Sequence, residues 1–338
     1  MCCHDTQQNN REEIIMKEQQ NRREFLKETS KKAIALGAAS YTFSTITESQ
    51  TASEKAGKTS NILLIRNKRA VDNSNKCNQE EAKKMIEMGL FSMTLKQDAK
   101  EAWASLGVTR SDVIAIKVNC NSASFPLYAH PELVYALCDS LAAVVPKNNI
   151  IIYERASGEL KRAGFEVNTS STGVQCFGGE QGDGFDQNEE LTRIITDRCT
   201  KLINFPSLKV FGGEFAGTLF LKNHVGSLQR SHMPKCHGNT PFLSEVSSRP
   251  SIKNKTFLAV CDGLRATYDR KSPWYWGGII MGRDPIAAEY AALSVINEKR
   301  KQEKIAEINV PGYVKLAESK YSLGTCDPSK INLIMLNM

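Results

Sequence analysis

The chain has 338 residues, 41% hydrophobic and 24% charged, which is globular composition with ample material for a large core. No run of about 18 or more apolar residues is present, which excludes an ordinary membrane-spanning helix. The formal net charge is +7, but basic and acidic residues are interspersed and no basic stripe carries interleaved aromatics, so nucleic acid is a poor partner and a small anion a better one.

Residues 1–60 read as an address. Positions 21–27, NRREFLK, place Arg22 and Arg23 after a polar residue and before Phe25, Leu26 and Lys27, which resembles the twin-arginine export signal. The stretch from Ala33 to Phe43 holds about eleven mostly small or apolar residues, enough for a signal core and too few to span a bilayer. A polar tract from Ser44 to Ser60 follows as a linker. The expected partner is the twin-arginine translocation machinery and the expected location periplasmic or otherwise extracytoplasmic. Membrane contact is expected only through the signal segment, if that segment stays uncleaved. The route carries folded proteins, which favours a bound transition metal or redox centre.

Residues 61–338 are expected to form one α/β domain. Asn61–Arg66 reads as a strand. Gln79–Leu106 carries helical spacing with Glu80 and Glu81 in its first turn. Asp112–Val118 is a strand, and His130–Val145 a helix opened by Pro131 and stopped by Pro146. Asn149–Glu154 is a third strand, Gly158–Gly164 a short helix, and Val174–Phe177 a short strand. Lys201–Phe205 and Thr256–Cys261 are further strands. Pro285–Lys299 and Val310–Tyr321 are helices, and Ile331–Leu336 closes the chain as a strand. This alternation predicts a mainly parallel sheet with helices on both faces, whose ligands sit beyond the strands' carboxyl ends.

Four ordered segments carry a family resemblance. They are DVIAIKVN (112–119) followed by His130-Pro131-Glu132, LINFPSLK (202–209), GTLFLKNHVG (217–226), and VCDG (260–263) paired with DPIAAE (284–289). Together they resemble the domain-of-unknown-function 362 family, which often occurs beside iron–sulfur modules or behind twin-arginine signals. The sequence departs from the family pattern at Val210 and Phe211, where relatives often carry Thr-His, and at Glu289, where they often carry Asp. The ferredoxin-type cysteines of some relatives are absent, and none of the ten cysteines forms a C-x-x-C pair. The resemblance implies an α/β domain with a shared polar site at the strand ends.

The candidate site follows from those ends. Lys117 stands within an apolar strand, where an ammonium needs partners, and could bind an anion or serve as a base. Lys209 and Lys222 follow other elements and could converge on the same anion, with Asn119 and Asn223 supplying hydrogen bonds. His224, His232, Cys236 and His237 fall within fourteen residues, 224–237. Imidazole and thiolate suit a transition metal. His237, near where the family places a histidine, His232 and Asp262 are the candidate ligands, and Lys117, His237 and Asp262 the candidate catalytic groups. Asp284 is explained as a helix N-cap before Pro285. The expected function is that of an exported protein acting on a small anionic substrate, with a non-catalytic ligand-binding or redox-partner assembly protein as the alternative.

Overall fold

The computed structural model describes residues 59–121, 127–181, 184–210, 217, 219–236, 240–269 and 272–338. Arg22, Arg23, Phe25 and Leu26, expected from the sequence to form an export signal, and also His237, lie outside them. In chain order the elements are β1 (Ser60–Arg66), α1 (Gln79–Thr94), α2 (Ala99–Ser105), β2 (Ile114–Val118), α3 (Pro131–Leu141), β3 (Ile150–Glu154), α4 (Ser157–Arg162), β4 (Gln175–Gly178), β5 (Lys201–Phe205), α5 (Phe220–Asn223), α6 (Phe242–Ser247), α7 (Pro250–Lys255), β6 (Thr256–Gly263), β7 (Ala266–Asp269), β8 (Ser272–Trp274), β9 (Gly278–Gly282), α8 (Pro285–Gln302), α9 (Gly312–Ser319) and β10 (Ile331–Asn337).

Eight strands form one sheet in the order β10-β1-β9-β6-β5-β2-β3-β4. Five neighbours, β6, β5, β2, β3 and β4, run parallel. β9 runs antiparallel between β1 and β6. The architecture is therefore the expected α/β one, a mainly parallel sheet with helices on both faces. The sequence reading does not anticipate β9, because three apolar residues between glycines, Ile279–Met281, are too short a signal to separate from a loop.

The central strands β2, β3 and β9 are buried on both sides, which is why β3 reads as a nearly unbroken apolar run. On one face Ile65, Ile116, Ile152, Ile203 and Val260 join α1, α2 and α3 in a single core. On the other, Leu64, Ala259, Cys261 and Ile280 pack on the small residues of α8, and Ala115, Tyr153 and Leu202 on Ile194 and Ile195. Strand alternation puts Lys117 on this second face, two residues on from Ala115.

Local signals set the helix ends. Asn78 caps α1 by accepting from the backbone of Glu80 and Glu81. The helix expected over 79–106 is in fact two, because Leu95 turns into the left-handed region at φ 57° and Asp98 caps a new start. Asp284 caps α8 as expected, accepting from the backbone of Ile286 and Ala287 at 2.9 Å each. Eight cysteines among the described residues are buried free thiols. No helix among the described residues is long and apolar enough to cross a membrane.

Candidate functional site

Strand order reverses at β2. The chain leaves β2 on one side as β3 and β4, then returns to its other side as β5 and β6. In open α/β sheets the carboxyl ends beside such a reversal splay apart and leave a crevice for ligands. Here those ends carry Glu154, Lys117, Asn119, Ser207, Lys209 and Asp262, all buried.

Register places Lys117 opposite Tyr153 of β3 and Asn204 of β5. Its ammonium donates to the carbonyl of Val118 at 2.6 Å, to Glu154 Oε1 at 3.1 Å and to Asn223 Oδ1 at 3.3 Å. Three donors meet three acceptors, which explains a lysine inside an apolar strand. Burial works against ionisation of Glu154. The Lys117 charge and hydrogen bonds from Glu159 and the Arg155 backbone overcome it, so the carboxyl lies below its ordinary range. Glu159 is pushed up to about 7, first by burial and then by the Glu154 charge, and so holds a proton near neutrality. Gly226 is the backbone that covers this pair: a Cβ there would stand 2.9 Å from Lys117 Nζ and 3.3 Å from Glu154 Oε1.

Asn223 joins the strands. Its amide nitrogen donates to the Lys117 carbonyl at 2.9 Å and to Asn204 Oδ1 at 2.8 Å, while its oxygen also accepts from Asn119 at 3.3 Å. The other side-chain oxygen, Asn119 Oδ1, is buried with no partner among the described residues. Asn223 lies in α5, a single turn without a cap of its own. Glu289 of α8 supplies one, accepting from the Leu221 backbone at 3.0 Å. Burial raises the Glu289 carboxyl to about 7. Glu289 thus reaches across to hold the turn that presents Lys222 and Asn223.

Lys209 is fully buried and donates to the carbonyls of Asn121 and Leu127 at 2.8 Å each. Burial brings it down to about 7, with the charges of Lys117 and Lys222 adding to the fall while Cys120 and Glu154 oppose it. Lys117 and Lys222, the other lysines singled out from the sequence, are both within electrostatic reach of Lys209. Lys222 is also lowered by burial.

At the end of β6, Asp262 Oδ2 accepts from the His130 backbone at 2.6 Å and lies 2.7 Å from His130 Nδ1. Its other oxygen takes the Leu264 backbone N–H at 2.9 Å. The opposite ring nitrogen, Nε2, lies 3.1 Å from Asn75 Oδ1. Burial would lower His130, but the Asp262 charge and hydrogen bond more than offset it, and the imidazole lies above its ordinary value. His130 enters the sequence reading as the first residue of a helix and as part of a family-resembling segment, with no site role, and the structure makes it the partner of Asp262. Its signal, a histidine held rigid by Pro131, says nothing of a residue 132 positions away. Glu154, Glu159 and Asn204 are likewise not singled out by the sequence, and His224 enters it only as one of four residues in a stretch suited to a metal. Only Glu154, a carboxylate closing an apolar strand beside one closed by a lysine, carried a readable hint.

His232 pairs with Glu190 at 3.3 Å, whereas Asp262 pairs with His130. Among the described residues no three His, Cys, Asp or Glu side chains stand together as a metal-ligand set. Residues 114–294 match the family model described as "Domain of unknown function (DUF362)". That span exceeds half of the chain, and the protein belongs to this family. No curated protein and no solved structure matches it.

Proposed function

We propose that this DUF362 protein is an exported enzyme that holds a small anion at the carboxyl ends of β2 and β5 and transfers protons through His130 and Asp262. The observation that carries the reading is that the neighbouring strands β5 and β6, beside the strand-order reversal, lead at their carboxyl ends to a buried lysine, Lys209, and to the buried His130–Asp262 pair. Lys209 and Lys222 supply the positive field. Asn119 Oδ1, an acceptor without a partner among the described residues, suits a hydroxyl or amine hydrogen on the ligand, while Asn223, whose amide hydrogens and oxygen are all engaged, holds Lys117 and Asn119 in place. Lys117 has all three protons engaged by the protein and serves by positioning Asn223 and Glu154. Asp262 holds Nδ1 of His130 and leaves Nε2, now on Asn75, as the atom that exchanges a proton with substrate. A transition metal would draw on Asp262, His232 and His237 as the sequence suggests, and would have to displace His130 from Asp262 and Glu190 from His232.

Calorimetric titration with sulfate and with succinate tests the anion site. Wild type binds at least one of them and Lys209→Met abolishes the heat. Absence of binding by wild type, or full retention by the variant, removes the site. Elemental analysis tests the metal: a stoichiometric transition metal lost in His237→Ala supports it, and a metal-free protein leaves His130 and Asp262 to act alone. Export rests on the paired arginines and is tested by fusing residues 1–60 to a reporter, with Arg22→Lys/Arg23→Lys expected to block translocation. The saturation of Lys117 by protein acceptors favours the non-catalytic ligand-binding alternative, which predicts sulfate or succinate binding that survives Asp262→Asn with no proton-transfer chemistry.

A further inference from the structure

A cleft of about 360 Å³ opens on the second face of the sheet, reaching Asn204 and His224 but not Lys117. The protonation of His224 there is settled by its neighbours. Asn204 Nδ2 lies 2.8 Å from the Phe220 carbonyl, which can only accept, so the amide group faces that way. Its oxygen takes a hydrogen from Asn223 Nδ2, and Asn223 is fixed in turn by the Lys117 carbonyl and ammonium. The second Asn204 Nδ2 hydrogen therefore points at His224 Nε2, 2.9 Å away. Nε2 must carry the lone pair and Nδ1 the proton. Burial, with the Lys117 charge, lowers His224 to about 3, so the ring is neutral and holds that single proton.

His224 Nδ1 has no partner among the described residues, although the residue is only 3% exposed. A buried N–H without an acceptor loses its hydration for no return, and native structures rarely retain one unless something arrives to meet it. At the rim of the same cleft the Arg283 guanidinium makes no hydrogen bond or ion pair with a described residue. The Asp284 carboxylate also lines it, but both oxygens are taken: one by Ile286 and Ala287, the other by Ser60 at 2.7 Å and Thr325 at 3.0 Å. The remaining walls include the apolar side chains of Phe220, Leu221, Ile252 and Leu323.

We infer that this cleft binds a small organic carboxylate, whose oxygens accept from His224 Nδ1 and Arg283 while its hydrocarbon body lies against Phe220, Leu221 and Ile252. A neutral donor, the Arg283 cation, a second cation in Lys253 that already donates to the Tyr321 carbonyl, and partly apolar walls suit an organic carboxylate better than a fully hydrated inorganic anion. The site is separate from the one at the carboxyl ends of β2 and β5 and stands without it.

Benzoate and hexanoate are the probes, with sulfate as the apolar-free control. Nitrogen-15 NMR of the histidine rings is expected to show His224 as the Nδ1–H tautomer, with that resonance shifting on benzoate addition. Calorimetry is expected to show benzoate or hexanoate binding that weakens about tenfold in Arg283→Gln, the loss of a hydrogen bond to a charged group. His224→Phe should abolish binding. Because His224 is buried and its replacement can harm folding, the rim variant and the wild-type resonance decide the matter. Lys209→Met should leave benzoate binding unchanged, which separates this site from the anion site proposed above. An Nε2–H tautomer, equal affinity in Arg283→Gln, or no binding of either carboxylate would overturn the inference.

Discussion

Replacing Lys117 by Met leaves Glu154 in place with its side chain 3% exposed and its main counter-charge gone. It also leaves the Val118 carbonyl and Asn223 Oδ1 each short of a donor. Removing one member of a buried pair costs about 3–5 kcal/mol, whereas replacing both by neutral groups of similar size is often nearly neutral. The Glu159 contact and the Arg155 backbone N–H still support the carboxylate, so a loss near the lower figure, ~3 kcal/mol, is expected at neutral pH. Lys117→Met/Glu154→Gln should recover most of it. The single variant has a pH signature. Without the ammonium, burial raises the folded-state Glu154 above its unfolded value, so its penalty shrinks as pH falls and the carboxyl takes up a proton. Urea unfolding reads all of this. With a slope of about 3 kcal/mol per molar, the single variant's midpoint drops by about 1 M. A drop below about 0.3 M, or a double variant whose loss is the sum of the two singles, would refute the claim that the pair is one interacting unit.

Glu289 has a folded-state value of about 7 against an ordinary 4.5. Its contribution is fully present below about pH 4.5 and is lost as pH rises through about 7, amounting to ~3 kcal/mol at most. Glu289→Gln should therefore gain stability relative to wild type on going from about pH 5 to about pH 8, and a constant difference in melting profiles across that range would contradict the assignment. In Gly226→Ala the new methyl meets Lys117 Nζ and Glu154 Oε1, and the thermal midpoint should fall by the equivalent of about 1–3 kcal/mol; an unchanged midpoint would mean that the turn yields freely. Sulfate keeps its charge across the neutral range, so its affinity reports the protein alone. Binding should weaken as pH rises through about 7 and Lys209 loses its proton, and affinity that stays flat to about pH 9 would exclude Lys209 as the cation.

The sequence determines the elements wherever a period or a cap repeats a local rule. Val118 closes an apolar strand, Asn78 and Asp284 start helices, Pro131 opens one, and the alternation of these segments leads to a mainly parallel α/β sheet. It also brings Lys117, Lys209, Lys222, Asn119, Asn223 and Asp262 to notice, because charge or amide groups at the ends of apolar runs need a reason. Tertiary structure alone decides what those groups face. The reversal at β2 arises from strand order, which no local period encodes, and it is what sets β5 beside β2 and Asn204 beside Lys117. His130 meets Asp262 across 132 residues of sequence, and Glu154 meets Lys117 across 37. The proton on His224 Nδ1 follows from two amides locked end to end between a lysine and a carbonyl. Hydrogen-bond direction is a property of the assembled network, because each amide's orientation is fixed by partners that only the fold brings within reach.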